Sequence, residues 1–197
     1  MKIKNHKLLN DEGSPVFFKQ AAHMSGVITP TVLVIHYTAG RGFDQSLNTL
    51  TARKDDGSGV SAHLLVGRDA RIAQMVPFNR KAWHAGDSVW KGRKSVGGFS
   101  IGIELDNAGI IEKKGNKFFT YFGTEVSPDE VFTDEHGKHW HAYTHDQLEV
   151  SIDITKAILL AYPTIKEIAG HSEICVPAGR KVDPGGAFPM EHFRALL

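Results

Sequence analysis

The chain has very little cysteine: Cys175 is the only one in 197 residues. A single cysteine closes no internal disulfide and excludes a multi-cysteine zinc site. Charge of one sign is also missing, since 23 Lys and Arg stand against 22 Asp and Glu. Nucleic-acid binding needs clustered Lys and Arg, and the one short basic run, Lys91–Lys94, reads as a solvated loop. No apolar run is long enough to span a bilayer, and the start MKIKNHKLLNDEGSPVFF lacks the apolar centre of a secretory signal. The expectation is a cytoplasmic monomer with no nucleic-acid partner and no membrane insertion. Internal repeats and low-complexity segments are absent as well.

What is present is ordinary in bulk, with 41% hydrophobic and 23% charged residues, and unusual in one count, eleven histidines. The length suits one domain over residues 1–197. Residues 1–26 are polar and read as an irregular arm, with a short strand at Val16–Lys19. Pro30 precedes the β-branched run Thr31–Ile35, which predicts a buried strand ending at His36. A loop at Ala39–Gly42 and a short helix near 45–54 follow. Val60–Val76 alternates around Gly67–Ala70 and predicts a hairpin. Phe99–Leu105 is another strand. Residues 106–143 are polar and weakly periodic, an insertion with a small hairpin near Phe118–Phe122. Thr144 and Gln147 fit a capping box that opens a helix running to Tyr162, before Pro163. Ile165–Ala169 is a strand leading to His171, and Pro189–Leu197 a closing helix with Phe193, Leu196 and Leu197 turned inward. The class is therefore mixed α/β (α+β), one central sheet flanked by helices.

Two histidines stand at strand ends, His36 and His171, where α/β sheets place their ligands. Taken alone, His36 reads more readily as a structural histidine, and His171 has the same setting. Together they ask for a third metal ligand, since a catalytic zinc takes three protein ligands and keeps one open position. The loop after His171 offers Cys175 and Asp183. The apolar neighbours of Cys175 point it into the core, so local chemistry favours Asp183. Lys181 lies two positions earlier, on the same face of an extended segment, either placed to stabilise an oxyanion or simply solvated. Glu104 interrupts an apolar strand. It is either a general base beside a metal-bound water or a carboxylate on a solvent face. A rival cluster, His136 to His145, straddles the helix cap and has no rigid element before it. Trp83 and His84 either line a cleft or pack.

Five segments, VLVIHYTAG, SAHLLVGRDARIAQMVPFNRKAWHAG, FSIGIEL, YTHDQLE and GHSEICVPAGRKVDPGGAF, resemble the zinc-dependent N-acetylmuramoyl-L-alanine amidases of the type-2 superfamily. That group includes recycling amidases, phage endolysins and peptidoglycan recognition proteins. The segments span most of residues 31–193 in the family's order. The resemblance implies a Zn2+ cofactor held by His36, His171 and Asp183, with Glu104 and Lys181 catalytic. It implies a peptidoglycan or muropeptide substrate, cleaved between N-acetylmuramic acid and L-alanine. Tyr37, His63, Trp83, His84 and Arg93 are the expected substrate-binding set. Where some members place a cysteine ligand this chain has Asp183, so Cys175 stays outside the site. Tyr37-Thr38 replaces the Asn that follows the first histidine in many recycling enzymes. The segment KGRKSVGGFS and the long insertion depart further, and both loosen the expectation of strict anhydro-muropeptide selectivity. The endolysin branch also leaves room for release by a route without a signal peptide. The competing expectation is a non-catalytic peptidoglycan-binding module on the same fold. Such modules typically lack a ligand, whereas this chain keeps all three and Glu104. A metal-storage role would rest on the 136–145 histidines alone.

Overall fold

Alternation along one strand organises the molecule. In the computed structural model, which describes residues 1–54 and 56–197, Val32–Tyr37 is a central strand. Its Leu33 and Ile35 face one core with Ile154 and Ile158, while Val32 and Val34 face another with Val96, Phe99 and Ile174. Each such side chain contributes about 1.5–3 kcal/mol on burial. The sheet has six strands in the order Glu167–Gly170, Val32–Tyr37, Ser100–Leu105, Leu64–Val66, Ile72–Gln74 and Phe17–Phe18. The first four run parallel, and Leu64–Val66 turns back antiparallel into Ile72–Gln74 as the hairpin pattern predicts.

Register is what builds the site. Glu104 lies opposite His36, and Gly170 lies opposite Ile35, so His171 follows at the row of His36. Helix His145–Ala161 covers one face. Its cap Thr144 accepts a hydrogen bond from the Gln147 N–H at 3.2 Å. The buried Gln147 amide then donates to Val66 O and Asp106 O at 3.0 and 3.1 Å. Those two bonds pin the helix start to the carboxyl ends of the strands. Helix Phe43–Thr51 packs Phe43, Leu47 and Leu50 with Leu65, Ala73 and Met75 on the opposite face.

Three expectations change. The arm of residues 1–26 is not irregular: Lys2–Lys4 pairs with Lys7–Leu9, and Met24–Val27 pairs with Arg80–Ala82. The fully buried Leu8 and the partly buried Ile3 tie the first hairpin to the core, and one apolar position per strand is too little to mark a strand by period. The insertion forms two small sheets, Ile111–Lys114 with Lys117–Thr120 and Glu125–Val126, then Val131–Thr133 with His139–His141. They share a minor core of Ala108, Ile111, Phe118, Phe122, Val126 and Val131. The last helix is Met190–Arg194; Phe193 is fully buried, but Leu197 is exposed.

Candidate metal centre and cleft

His36 shares a sheet face with Val34 and, across the register, with Gly102 and Glu104. His171 opens the short helix His171–Ile174 directly after its strand. The loop beyond it folds back, and the Ser172 N–H donates to Asp183 O at 2.9 Å. Gly170 leaves room for this return, since a Cβ there would stand 2.7 Å from Pro184 Cδ. The insertion braces the same loop: the Trp140 ring lies under Gly185 and Gly186, and the Tyr143 hydroxyl donates to Pro184 O at 2.7 Å.

Three buried ligand atoms converge as a result. His36 Nδ1 is 3.0 Å from His171 Nδ1, and both are 3.1 Å from Asp183 Oδ2. Hydrogen bonds cannot fill all three edges of this triangle, because each ring nitrogen carries at most one proton. A cation satisfies all three at once. Two imidazoles and one carboxylate, all buried and with no sulfur, are a donor set that suits zinc. Among the described residues this is the single cluster of three or more metal-capable side chains.

A hydrogen-bond chain sets the tautomer of His36. Ser100 Oγ donates to Val96 O at 2.8 Å, which leaves it to accept from His84 Nε2 at 3.2 Å. His84 Nδ1 is then an acceptor for His36 Nε2–H at 2.9 Å. His36 therefore presents a bare Nδ1 to the cluster, as a metal ligand must. His84 fits only because Gly102 has no side chain; a Cβ there would come within 2.5 Å of its ring. The electrostatics agree. Burial lowers the pKa of His36 against the opposing pull of Asp183, and burial also drives His84 well below its usual value. Burial works against ionisation of Asp183, but the His171 and His36 imidazoles that face it outweigh burial and hold the carboxyl below its ordinary range. His84→Ala should weaken metal affinity by about 10–100-fold, the usual loss for an outer hydrogen-bond partner, read by competition with a chromogenic chelator.

Glu104 faces the same space. Its Oε2 is out of water with no hydrogen-bond partner. Burial, helped by the charge of Asp183 and opposed by Lys181, pushes its pKa up to about 8. The cleft around it has two lobes of about 340 and 480 Å³ that meet at Val60, His84, His171, Arg180 and Lys181. The smaller adds Lys81 and Trp83; the larger adds Tyr37, Thr38, Gln45, Thr49, Glu104, Tyr121 and Asp183.

Lys181, expected to be catalytic, sits at the junction of the lobes; of the expected substrate-binding residues, Tyr37, Trp83 and His84 line the cleft. Two others do not. His63 is fully buried, accepting from the Gly102 N–H at 3.0 Å and donating to Arg80 O at 2.8 Å. It is a packing histidine behind His84, a distinction its place before a strand does not reveal. Arg93 is exposed on an outer hairpin, its guanidinium 3.7 Å from the Phe99 ring centroid, and lines neither lobe. The 136–145 histidines do not converge: His136 and His145 are exposed, and His141 Nδ1 accepts from the Ala108 N–H at 3.2 Å. Cys175 is buried with its sulfur toward Ser172 O and Pro177 O at 3.5 and 3.6 Å. Sequence patterning passes over Arg180 and Tyr121. Arg180 lies beside Lys181, and its guanidinium is fixed by Val176 O and Asp87 O at 2.8 Å each. Tyr121 arrives from the insertion and carries no local signal.

Residues 27–186 match the family described as N-acetylmuramoyl-L-alanine amidase. The 1,6-anhydro-N-acetylmuramyl-L-alanine amidase AmpD of Enterobacter cloacae is 36% identical over 139 residues, covering 70% of this chain and 57% of that protein. The N-acetylmuramoyl-L-alanine amidase AmiD of Escherichia coli K12 is 36% identical over 168 residues, covering 81% of this chain and 50% of that protein. The chain thus spans little more than half the length of these curated relatives. Among solved structures, a selenomethionine AmpD derivative superposes with a TM-score of 0.70 at 30% identity, covering 100% of this chain and 99% of that one. The complex of E. coli AmiD with the substrate anhydro-N-acetylmuramic acid-L-Ala-D-gamma-Glu-L-Lys gives 0.63 at 32% identity, covering 90% and 60%.

Proposed function

The chain belongs to the N-acetylmuramoyl-L-alanine amidase family, and from that premise we propose that it is a zinc amidase cleaving the bond between N-acetylmuramic acid and L-alanine. The observation that carries this reading is the His36, His171 and Asp183 triangle opening into the same cleft as an unpartnered Glu104 carboxylate. When bound there, zinc supplies a Lewis acid for the amide carbonyl and a water of lowered pKa. Glu104 takes a proton from the attacking water at Oε2 and returns it to the departing amine of L-alanine. The Lys181 ammonium stands where negative charge develops on the carbonyl oxygen. His84 keeps the lone pair of His36 aimed at the cluster.

Charge orients the substrate. The D-gamma-Glu named in the AmiD substrate carries a free carboxylate. The smaller lobe, with Lys81, Arg180 and Lys181, suits the peptide stem. Away from that junction, the larger lobe offers the neutral Thr38, Gln45 and Thr49, which suit the hydroxyls and acetamido group of the sugar. Arg180→Ala should raise KM by about tenfold for stems that carry the carboxylate, matching the loss of one charge-assisted contact, with kcat little changed.

The test is to incubate zinc-loaded protein separately with soluble anhydro-muropeptide and with purified sacculi, and to weigh the products. Peptides beginning at L-alanine are expected, with about one zinc per chain. Binding of both substrates without release of peptide overturns the amidase reading in favour of a peptidoglycan-binding module.

A further inference from the structure

Tyr121 belongs neither to the central sheet nor to the ligand cluster, yet it lines the larger lobe of the cleft. It follows the strand Lys117–Thr120 of the insertion and is 63% exposed. An exposed tyrosine alone needs no explanation; this one is held in place. Its hydroxyl donates to Ala39 O at 2.9 Å, on the loop that leaves the strand of His36. Ala39 itself has φ 49, a left-handed conformation unusual for alanine. Phe122 supports the ring edge-on, with centroids 4.9 Å apart at 81°. Thus the insertion bonds to the loop at the rim of the cleft and leaves an aromatic ring exposed there.

We infer that Tyr121 is a specificity-determining residue whose ring carries the pyranose of the muramoyl half of the substrate. The inference rests on the assignment of the larger lobe to the sugar. The chemistry matches: a fixed aromatic face in the same lobe as Gln45 and Thr49 packs against a sugar's C–H face while neutral groups hydrogen-bond its rim. Fixing the ring before substrate arrives limits the ordering lost on binding. The insertion then sets which sugars fit, independently of the residues that cleave the amide.

Two substrates with the same peptide test this, one bearing the N-acetylmuramoyl ring and one bearing a D-lactoyl group instead. Tyr121→Ala should lower kcat/KM on the sugar-bearing substrate by about tenfold, chiefly through KM, the scale of one aromatic contact. On the lactoyl substrate the loss should shrink to about twofold or less. Tyr121→Phe, which keeps the ring and removes its tether, should fall between. Equal losses on both substrates overturn the inference. Losses that track stem length instead of the sugar overturn it together with the lobe assignment. Titration of zinc-loaded Glu104→Gln protein with N-acetylmuramic acid alone decides the point without turnover. Tyr121→Ala in that background should weaken binding by about tenfold, and unchanged affinity overturns the inference even where the amidase reading fails.

Discussion

Glu104→Gln should lower turnover by about 10²–10⁴-fold, the range carried by one general acid–base group, while zinc content stays at the wild-type level. Glutamine keeps the shape and polarity of the side chain and removes the exchangeable carboxyl proton. Glu104 touches no ligand atom of the cluster by hydrogen bond; its Oε2 has no partner at all. Metal retention and lost turnover therefore separate cleanly. A wild-type rate in Glu104→Gln would sink the mechanism.

The same substitution has a second expected effect, on the stability of the metal-stripped protein. Glu104 has its pKa raised from 4.5 to about 8 on folding, first by burial and then by Asp183. Between those values the folded chain holds a proton that the unfolded chain releases, so stability falls as pH rises. The penalty is absent below about pH 4.5, grows through the window and is full above about pH 8. Glu104→Gln carries no such penalty. Its advantage in unfolding free energy over wild type, followed by thermal or denaturant unfolding, should be near zero at pH 4.5 and largest above pH 8, on the order of a few kcal/mol. An advantage that does not change with pH would show that the carboxyl is not desolvated in the fold. A residue that destabilises the resting protein and serves the reaction is a common form of site-borne strain.

Asp183→Ala should abolish metal binding at micromolar zinc. It leaves two imidazoles where a catalytic zinc takes three protein ligands, and it removes the only anionic ligand of the triangle. The readout is the zinc-dependent rise in thermal midpoint. A ligand present at 1,000 times its dissociation constant stabilises by about 4 kcal/mol, and this increment should vanish in Asp183→Ala. Cys175→Ser is the matching control. Its sulfur faces backbone carbonyls away from the cluster, so zinc content and the increment should remain. Loss of zinc in Cys175→Ser with retention in Asp183→Ala would overturn the ligand assignment.

The elements that carry chemistry were legible in the sequence where local pattern and local structure coincide. Thr31–Ile35 reads as a buried strand from its β-branched run, and it is one, extended to Tyr37. Thr144 caps its helix as the Thr-x-x-Gln pattern predicts, but the capping box is only half formed, because the Gln147 side chain donates to Val66 O and Asp106 O and does not return to the Thr144 N–H. Cys175 reads as a core residue from its apolar neighbours, and it is buried. His63 and His84 show why other residues were not legible. Both precede or follow short apolar stretches, yet one is enclosed by backbone groups and the other orients a ligand. Only the packing of the Arg80–Ala82 segment over Gly102 separates them.

The amino-acid sequence by itself determined the strands of the central sheet, the cap, the family resemblance and the chemical kinds of the candidate ligands, because these depend on period, turn chemistry and short motifs. Tertiary structure decided the rest. Parallel register put Glu104 opposite His36 and carried His171 to the same row. The bare Gly102 admitted His84, and the hydrogen-bond chain through Ser100 chose the tautomer of His36. The insertion, polar and weakly periodic as a string, folded on its own small core and delivered Trp140 beneath the Asp183 loop and Tyr121 to the rim of the cleft. Contacts such as those of His36 with His84, His171 and Asp183, 48, 135 and 147 positions apart, leave no periodic trace in the chain, since each depends on where the sheet and its loops meet.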